Sequence, residues 1–241
     1  VVLTQCGADI TPCAVMVDDC QGHAGISFLN GQFMGGIVIS STNVGPVKFT
    51  GCGFWGYQTG MHLKNESNAQ VTLNSCHFVN WDQYVRGDPA IYANAGGITV
   101  SNCEFMDFRK KQIVLDENVA TAIIIGNRFS GKLDIINRAK GDVQLGFNVI
   151  ANQPKEEPGA IVIDETDPTP LFRTEGKWQS GVGGKDYLQV VLWAWKGKGE
   201  SKAFWTPNLP AAGKYKVYIW YGMDPVNDHA ANVQFIVVSQ S

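Results

Sequence analysis

One eight-residue phrase recurs seven times in the first 150 residues: apolar, any, apolar, any, small, Cys/Asn/Gly, any, apolar. Its copies are VVLTQCGA (1–8), ISFLNGQF (26–33), VKFTGCGF (47–54), VTLNSCHF (71–78), ITVSNCEF (98–105), AIIIGNRF (122–129) and VQLGFNVI (143–150). Successive starts lie 25, 21, 24, 27, 24 and 21 residues apart. A period in this range marks a solenoid, whose units bury their apolar faces only against their neighbours. After each phrase comes a loop and a second short apolar run, at 14–17, 36–39, 60–63, 90–93, 112–115 and 133–136. Short strands with no helical period between them predict parallel strands coiled into a β-helix, right-handed by the crossover rule.

Within the phrase, places one, three, six and eight are predicted to point inward. Place eight then makes a stacked aromatic core from Phe33, Phe54, Phe78, Phe105 and Phe129. Place six holds Cys6, Cys52, Cys76 and Cys103 where other rungs have Gly31, Asn127 and Asn148. These side chains form an inward column about 4.8 Å per rung, the thiols acting as small hydrophobes and the amides as a ladder. A disulfide or metal site is the weaker reading, since there is no CxxC pair and Cys13 and Cys20 flank an extended strand.

The composition changes near residue 151. NQPKEEPG (152–159) reads as a linker or cap, and beyond it the repeat is lost. Aromatic, alternating runs follow at 187–195, 202–205, 215–221 and 233–238, separated by Gly and Pro turns, which predicts an antiparallel sandwich. The expected domains are 1–158 and 159–241, an all-β chain of about seven rungs followed by a β-sandwich. A solenoid that opens on a strand without a polar cap reads as an excerpt or processed product. Net charge is −3 and Arg109-Lys110-Lys111 is the longest basic run, which argues against a nucleic-acid surface. No apolar stretch reaches membrane-spanning length.

Two resemblances sharpen this. ITVSNCEFMDF (98–108) and VTLNSCHFVNW (71–81) resemble the rung of the pectate-lyase-type right-handed parallel β-helix superfamily. That superfamily includes polysaccharide lyases, glycoside hydrolases and non-catalytic surface proteins, so the resemblance implies fold more than activity. AIVIDETDP (160–168), EGKWQSG (175–181) and AFWTPNLPAAGKYKVYIWY (203–221) resemble the golvesin or xanthan-lyase C-terminal domain. That family sits beside polysaccharide-degrading or cell-wall-active domains, which implies a carbohydrate-binding accessory role. The chain stops soon after Ser239, so an incomplete sandwich is expected. Together they imply a secreted or cell-surface protein acting on a polysaccharide or glycan. A non-catalytic adhesive or glycan-binding module is the rival reading.

The resemblance implies a substrate groove beside the phrase strands. Their outward places two and four carry no carboxylate, which disfavours a two-carboxylate hydrolase there. Place seven instead puts His77, Glu104 and Arg128 on three consecutive rungs. Asp82 and Arg109 share place twelve, and the long loop 80–89 adds Arg86. These six are the candidate catalytic residues, since β-elimination from a uronate needs a base and a cation to neutralise the carboxylate. The alternative is a solvated, mutually paired charged surface. Asp164, Glu165 and Asp167 are candidate Ca²⁺ ligands through oxygen donors. Trp193, Trp195, Tyr218 and Trp220 are candidate sugar-stacking residues, with a sandwich-core role as the alternative.

Overall fold

The structure, a computed structural model, describes residues 1–56, 60–82, 86–107, 111–151, 159–165, 167–182, 190–195, 197–219 and 233–238. The chain divides into two compact units, Val1–Lys155 and Glu156–Ser241.

The first unit opens with β1 (Val2–Thr4), β2 (Gly7–Val17), β3 (Ile26–Leu29), β4 (Gln32–Ile39), β5 (Val47–Thr50) and β6 (Gly53–Trp55). It continues with β7 (Leu63–Asn65), β8 (Gln70–Asn74), β9 (His77–Val79), β10 (Ile91–Ser101) and β11 (Glu104–Phe105). It closes with β12 (Ile113–Ile125), β13 (Arg128–Ser130), β14 (Ile135–Asn137), β15 (Asp142–Gly146) and β16 (Val149–Ala151). Every pairing among them is parallel, and like places of the phrase face each other: Val47↔Val71, Val71↔Ile98, Ile98↔Ala122 and Ala122↔Val143. The seven phrase strands thus bound a β-solenoid of about six turns. The second runs form their own stack from β4 through β7, β10 and β12 to β14. A third stack carries β4, β6, β9, β11, β13 and β16.

The interior follows the phrase. Phe33, Phe54, Phe78, Phe105 and Phe129 are buried, with centroids 4.7 Å apart for Phe54–Phe78 and Phe78–Phe105 and 4.8 Å for Phe105–Phe129. Burying each ring is worth about 1.5–3 kcal/mol, so this column is a principal source of cohesion between rungs. At place six, Cys52, Cys76 and Cys103 donate weakly to the carbonyls of Phe28, Phe49 and Leu73 on the preceding rung. Asn127 Nδ2 and Asn148 Nδ2 make the same bond, at 2.9 and 3.0 Å, to Val100 O and Ile124 O. Asn127 Oδ1 also accepts from the Cys103 amide at 2.9 Å. Thiol and amide therefore do one job, giving a second donor to a carbonyl of the phrase strand one rung back. Donation toward the Cys103 sulfur, with burial adding to it, pushes the Cys76 thiol up to about 12. All six cysteines are free.

The small residue at place five has a specific reason. Gln5, Asn30, Gly51, Ser75, Asn102, Gly126 and Phe147 all adopt φ between 52° and 68°. This left-handed residue turns the chain from the phrase strand into the next one, and Asn and Gly tolerate it best. Phe147, 88% exposed, is the bulky departure from that rule.

The second unit forms two separate antiparallel pairs, β17 (Phe172–Glu175) with β20 (Lys202–Trp205) and β18 (Gln179–Val182) with β19 (Val190–Trp193). The expected antiparallel character is present, and among the described residues the sandwich is only partly shown. Described residues 215–219 and 233–238 carry no strand pairing. Both alternating faces are exposed there, at Val217 and Tyr218 as at Ile236 and Val237.

Candidate functional site

The register joins the place-seven residues as the spacing requires: His77↔Glu104 and Glu104↔Arg128. Arg128 Nε stands 3.5 Å from Glu104 Oε1, with both side chains about half exposed. An ion pair this wet contributes little to stability. Asp82 has another task. It is only 3% exposed and accepts from the Arg86 and Gly87 amides at 2.8 and 2.9 Å, holding the loop that the insertion creates. Trp81 Nε1 donates to Lys111 O at 2.9 Å beneath it, and Asp107, also buried, accepts from the Asn80 amide at 3.0 Å. Arg86 itself is exposed, and Arg109 lies outside the described residues.

The second-strand stack carries a set that the phrase does not reveal. Lys64, Tyr92 and Val114 occupy one outward file, in register, and Val114 pairs in turn with Ile136. Two residues further along the chain from Lys64, Tyr92, Val114 and Ile136 stand Glu66, Asn94, Asp116 and Arg138. Tyr92 Oη donates to Asp116 Oδ2 at 2.5 Å. Arg138 Nη1 lies 3.9 Å from Asp116 Oδ1, and Lys64 Nζ is 2.6 Å from Glu66 Oε1. At the edge, Lys140 Nζ reaches Glu117 Oε2 at 2.5 Å. The pairing of β10 with β12 shifts register between Ala93 and Ala95, and this irregularity lies beside Asp116 and Glu117.

The electrostatics follow from these contacts. The Tyr92 hydroxyl, then the Glu117 amide and the Arg138 charge, hold the Asp116 carboxyl below the usual carboxylate range. The same bond to Asp116, with burial and the negative charge there, raises the Tyr92 phenol above its ordinary value. At neutral pH the pair is therefore an ionised acceptor beside a protonated donor. Arg138 is too far from Asp116 for a hydrogen bond, so its donors are not spent on that carboxylate. Tyr92 and Ile136, partly exposed on either side of the buried Val114, lie beside a row of two carboxylates, an amide and a guanidinium that offers donors and acceptors along one side. Such a surface suits a polyhydroxylated chain.

In the second unit, the Trp193 and Trp195 rings meet edge to face with centroids 4.9 Å apart, and Trp195 is 74% exposed. Tyr218 is exposed, and Trp220 lies outside the described residues. Arg173 lies over the Phe204 ring at 3.7 Å, and Phe172 packs against Trp205. The Asp164 amide donates to Asp167 Oδ2 at 2.7 Å, and the Asp167 amide to Asp164 O at 3.0 Å, so these residues close a turn. Among the described residues, no group of three or more His, Cys, Asp or Glu is gathered as a metal ion would need. No described helix is long and apolar enough to cross a membrane.

Residues 35–154 match the family model described as a right handed beta helix region, and residues 161–241 match the Golvesin C-terminal domain. No curated protein and no solved structure matches the chain.

Proposed function

We propose that this chain, whose right-handed β-helix and golvesin-type C-terminal domain fit a polysaccharide-related protein, binds an acidic polysaccharide across the face bearing Lys64, Tyr92, Asp116 and Arg138, and cleaves it by β-elimination. The observation that carries this reading is the Tyr92–Asp116–Arg138 chain of contacts on consecutive rungs. The rung repeat, about 4.8 Å, is comparable to one pyranose, so successive sugars meet successive rungs.

In β-elimination a base removes the proton beside the uronate carboxylate. The electron pair then forms the carbon–carbon double bond, and the glycosidic C–O bond breaks with protonation of the departing oxygen. Arg138 would neutralise the carboxylate, and the protonated Tyr92 phenol would supply the hydrogen bond and proton at the leaving oxygen. Arg86, exposed on the stretch that precedes β10, is the base this reading assigns, acting after its guanidinium has lost one proton to solvent. A hydrolase would need a carboxylic acid with a raised pKa, and Asp116 is shifted the other way. Trp193 and Trp195 of the golvesin-type domain would add a second contact with the polymer. Such polymers are met outside the cell, so the reading carries a secreted or cell-surface location with it.

The test is turnover of polygalacturonate by the full chain, followed through the ultraviolet absorbance of the unsaturated product. Wild type should generate the chromophore. Tyr92→Phe should lower turnover at least tenfold with little change in KM, and Arg138→Ala should raise KM. New reducing ends without absorbance would contradict elimination. Retardation in a polygalacturonate gel without turnover would leave the non-catalytic binding module. Neither retardation nor turnover would sink the proposal.

A further inference from the structure

We infer a second carbohydrate site on a different sheet of the solenoid, centred on Trp55 and built for a neutral pyranose. It does not depend on the acidic-polymer reading. In β6, Phe54 points inward and is fully buried, so Gly53 and Trp55 point outward. Trp55 is 37% exposed and in register with Val79, and Met106 on the following rung is also exposed. An indole kept at the surface of an otherwise well-packed solenoid, with apolar neighbours along the axis, makes a plate of about one ring's width.

Polar groups converge beside that plate. Gln32↔Gly53↔His77↔Glu104↔Arg128 is one continuous outward file over five rungs. Gly53 is the gap in it. A Cβ there would intrude on both Gln32 Oε1 and His77 Nε2, so the carboxamide and the imidazole lean in from either side. Gly53 and Trp55 are two residues apart on one strand, about 6.6 Å. A pyranose lying with its C–H face on the indole therefore has its ring-edge hydroxyls over the notch, within reach of Gln32 and His77. The nearest ions in the file, Glu104 and Arg128, are paired with each other, leaving no net charge to favour a uronate. That balance selects a neutral sugar, and stacking a flat C–H face on the indole favours one with equatorial hydroxyls. Gln32, Gly53 and Trp55 thus give the His77–Glu104–Arg128 row a binding role.

Affinity electrophoresis of the full chain through a gel containing mixed-linkage β-glucan tests this. Wild type should be retarded, and Trp55→Ala should raise the apparent Kd roughly tenfold, the size expected for losing one aromatic contact. Gly53→Ala should do the same by filling the notch, and the atoms it meets are ends of flexible side chains that can swing away without unfolding the rung. Trp55→Phe should keep most of the retardation. Trp55→Ala should still bind and turn over polygalacturonate as wild type does, which separates this site from the acidic-polymer face. Absence of wild-type retardation by the β-glucan would overturn the inference. So would wild-type behaviour of either Trp55→Ala or Gly53→Ala, including the case in which Trp193→Ala alone abolishes binding.

Discussion

Removing the Asn127 side chain probes the inner column where its bonding is most complete. Asn127 is fully buried and bridges three rungs. It accepts from the Cys103 amide, donates to Val100 O, and bonds Asn148 Oδ1 at 3.1 Å. Asn127→Ala strands the Cys103 amide in the interior and removes the side-chain bonds to Val100 O and Asn148. An unpaired buried donor costs about 1–3 kcal/mol and each further lost bond about 1 kcal/mol, so the loss should be about 4 kcal/mol. For a domain of this size that corresponds to a fall in Tm of roughly 10 °C. Asn127→Cys should cost about 1 kcal/mol less, because a thiol restores only the bond to the preceding carbonyl, as Cys103 does to Leu73 O. Urea unfolding followed by circular dichroism, with the slope unchanged, reads both values. The reasoning fails if Asn127→Ala stays within about 1 kcal/mol of wild type, or if the cysteine variant is no better than alanine.

Phe147→Asn should stabilise the solenoid by about 1 kcal/mol, because Asn accepts the left-handed turn more readily than Phe; a lower urea midpoint would contradict this. Under native conditions iodoacetamide should alkylate exposed Cys13 and leave buried Cys52, Cys76 and Cys103 untouched, as read by peptide mass spectrometry. Stability should also depend on pH through the Tyr92–Asp116 pair. Asp116 has a lowered folded pKa, so its contribution is present above its unfolded value near 4 and fades as pH falls through the folded pKa. Tyr92 has a raised folded pKa, so its contribution is present up to about pH 10 and fades as pH climbs through the folded value. Asp116→Asn should flatten the acid limb of the melting profile, and an unchanged limb would show that the bond carries no linkage.

The phrase made the stack legible because inward positions must repeat when each rung buries the next. Register, the phenylalanine column and the mixed thiol–amide column all follow from that one constraint. The left-handed turn was also written there, since Asn30, Gly51, Ser75, Asn102 and Gly126 share place five; smallness was visible and its backbone cause was not. The Tyr92 face escaped because outward residues obey no burial rule, and the second strands have no strong consensus to anchor their numbering. A trace existed even so: Lys64, Tyr92, Asp116 and Arg138 lie 28, 24 and 22 residues apart, close to the rung period. Asp82 shows the opposite hazard, a carboxylate in a long loop whose acceptors serve the loop's own amides. In the second unit alternation identified strand-like segments around Val190 and Lys202, and could not say which partner each would find.

Hydroxyl-radical footprinting of the full chain, with and without oligogalacturonate, tests the proposed acidic-polymer face most directly. Protection should fall on Tyr92 and Ile136 together, two rungs apart, while Trp55 stays as reactive as in the free protein. Unaltered reactivity at Tyr92, or protection confined to the golvesin-type domain, would contradict the account.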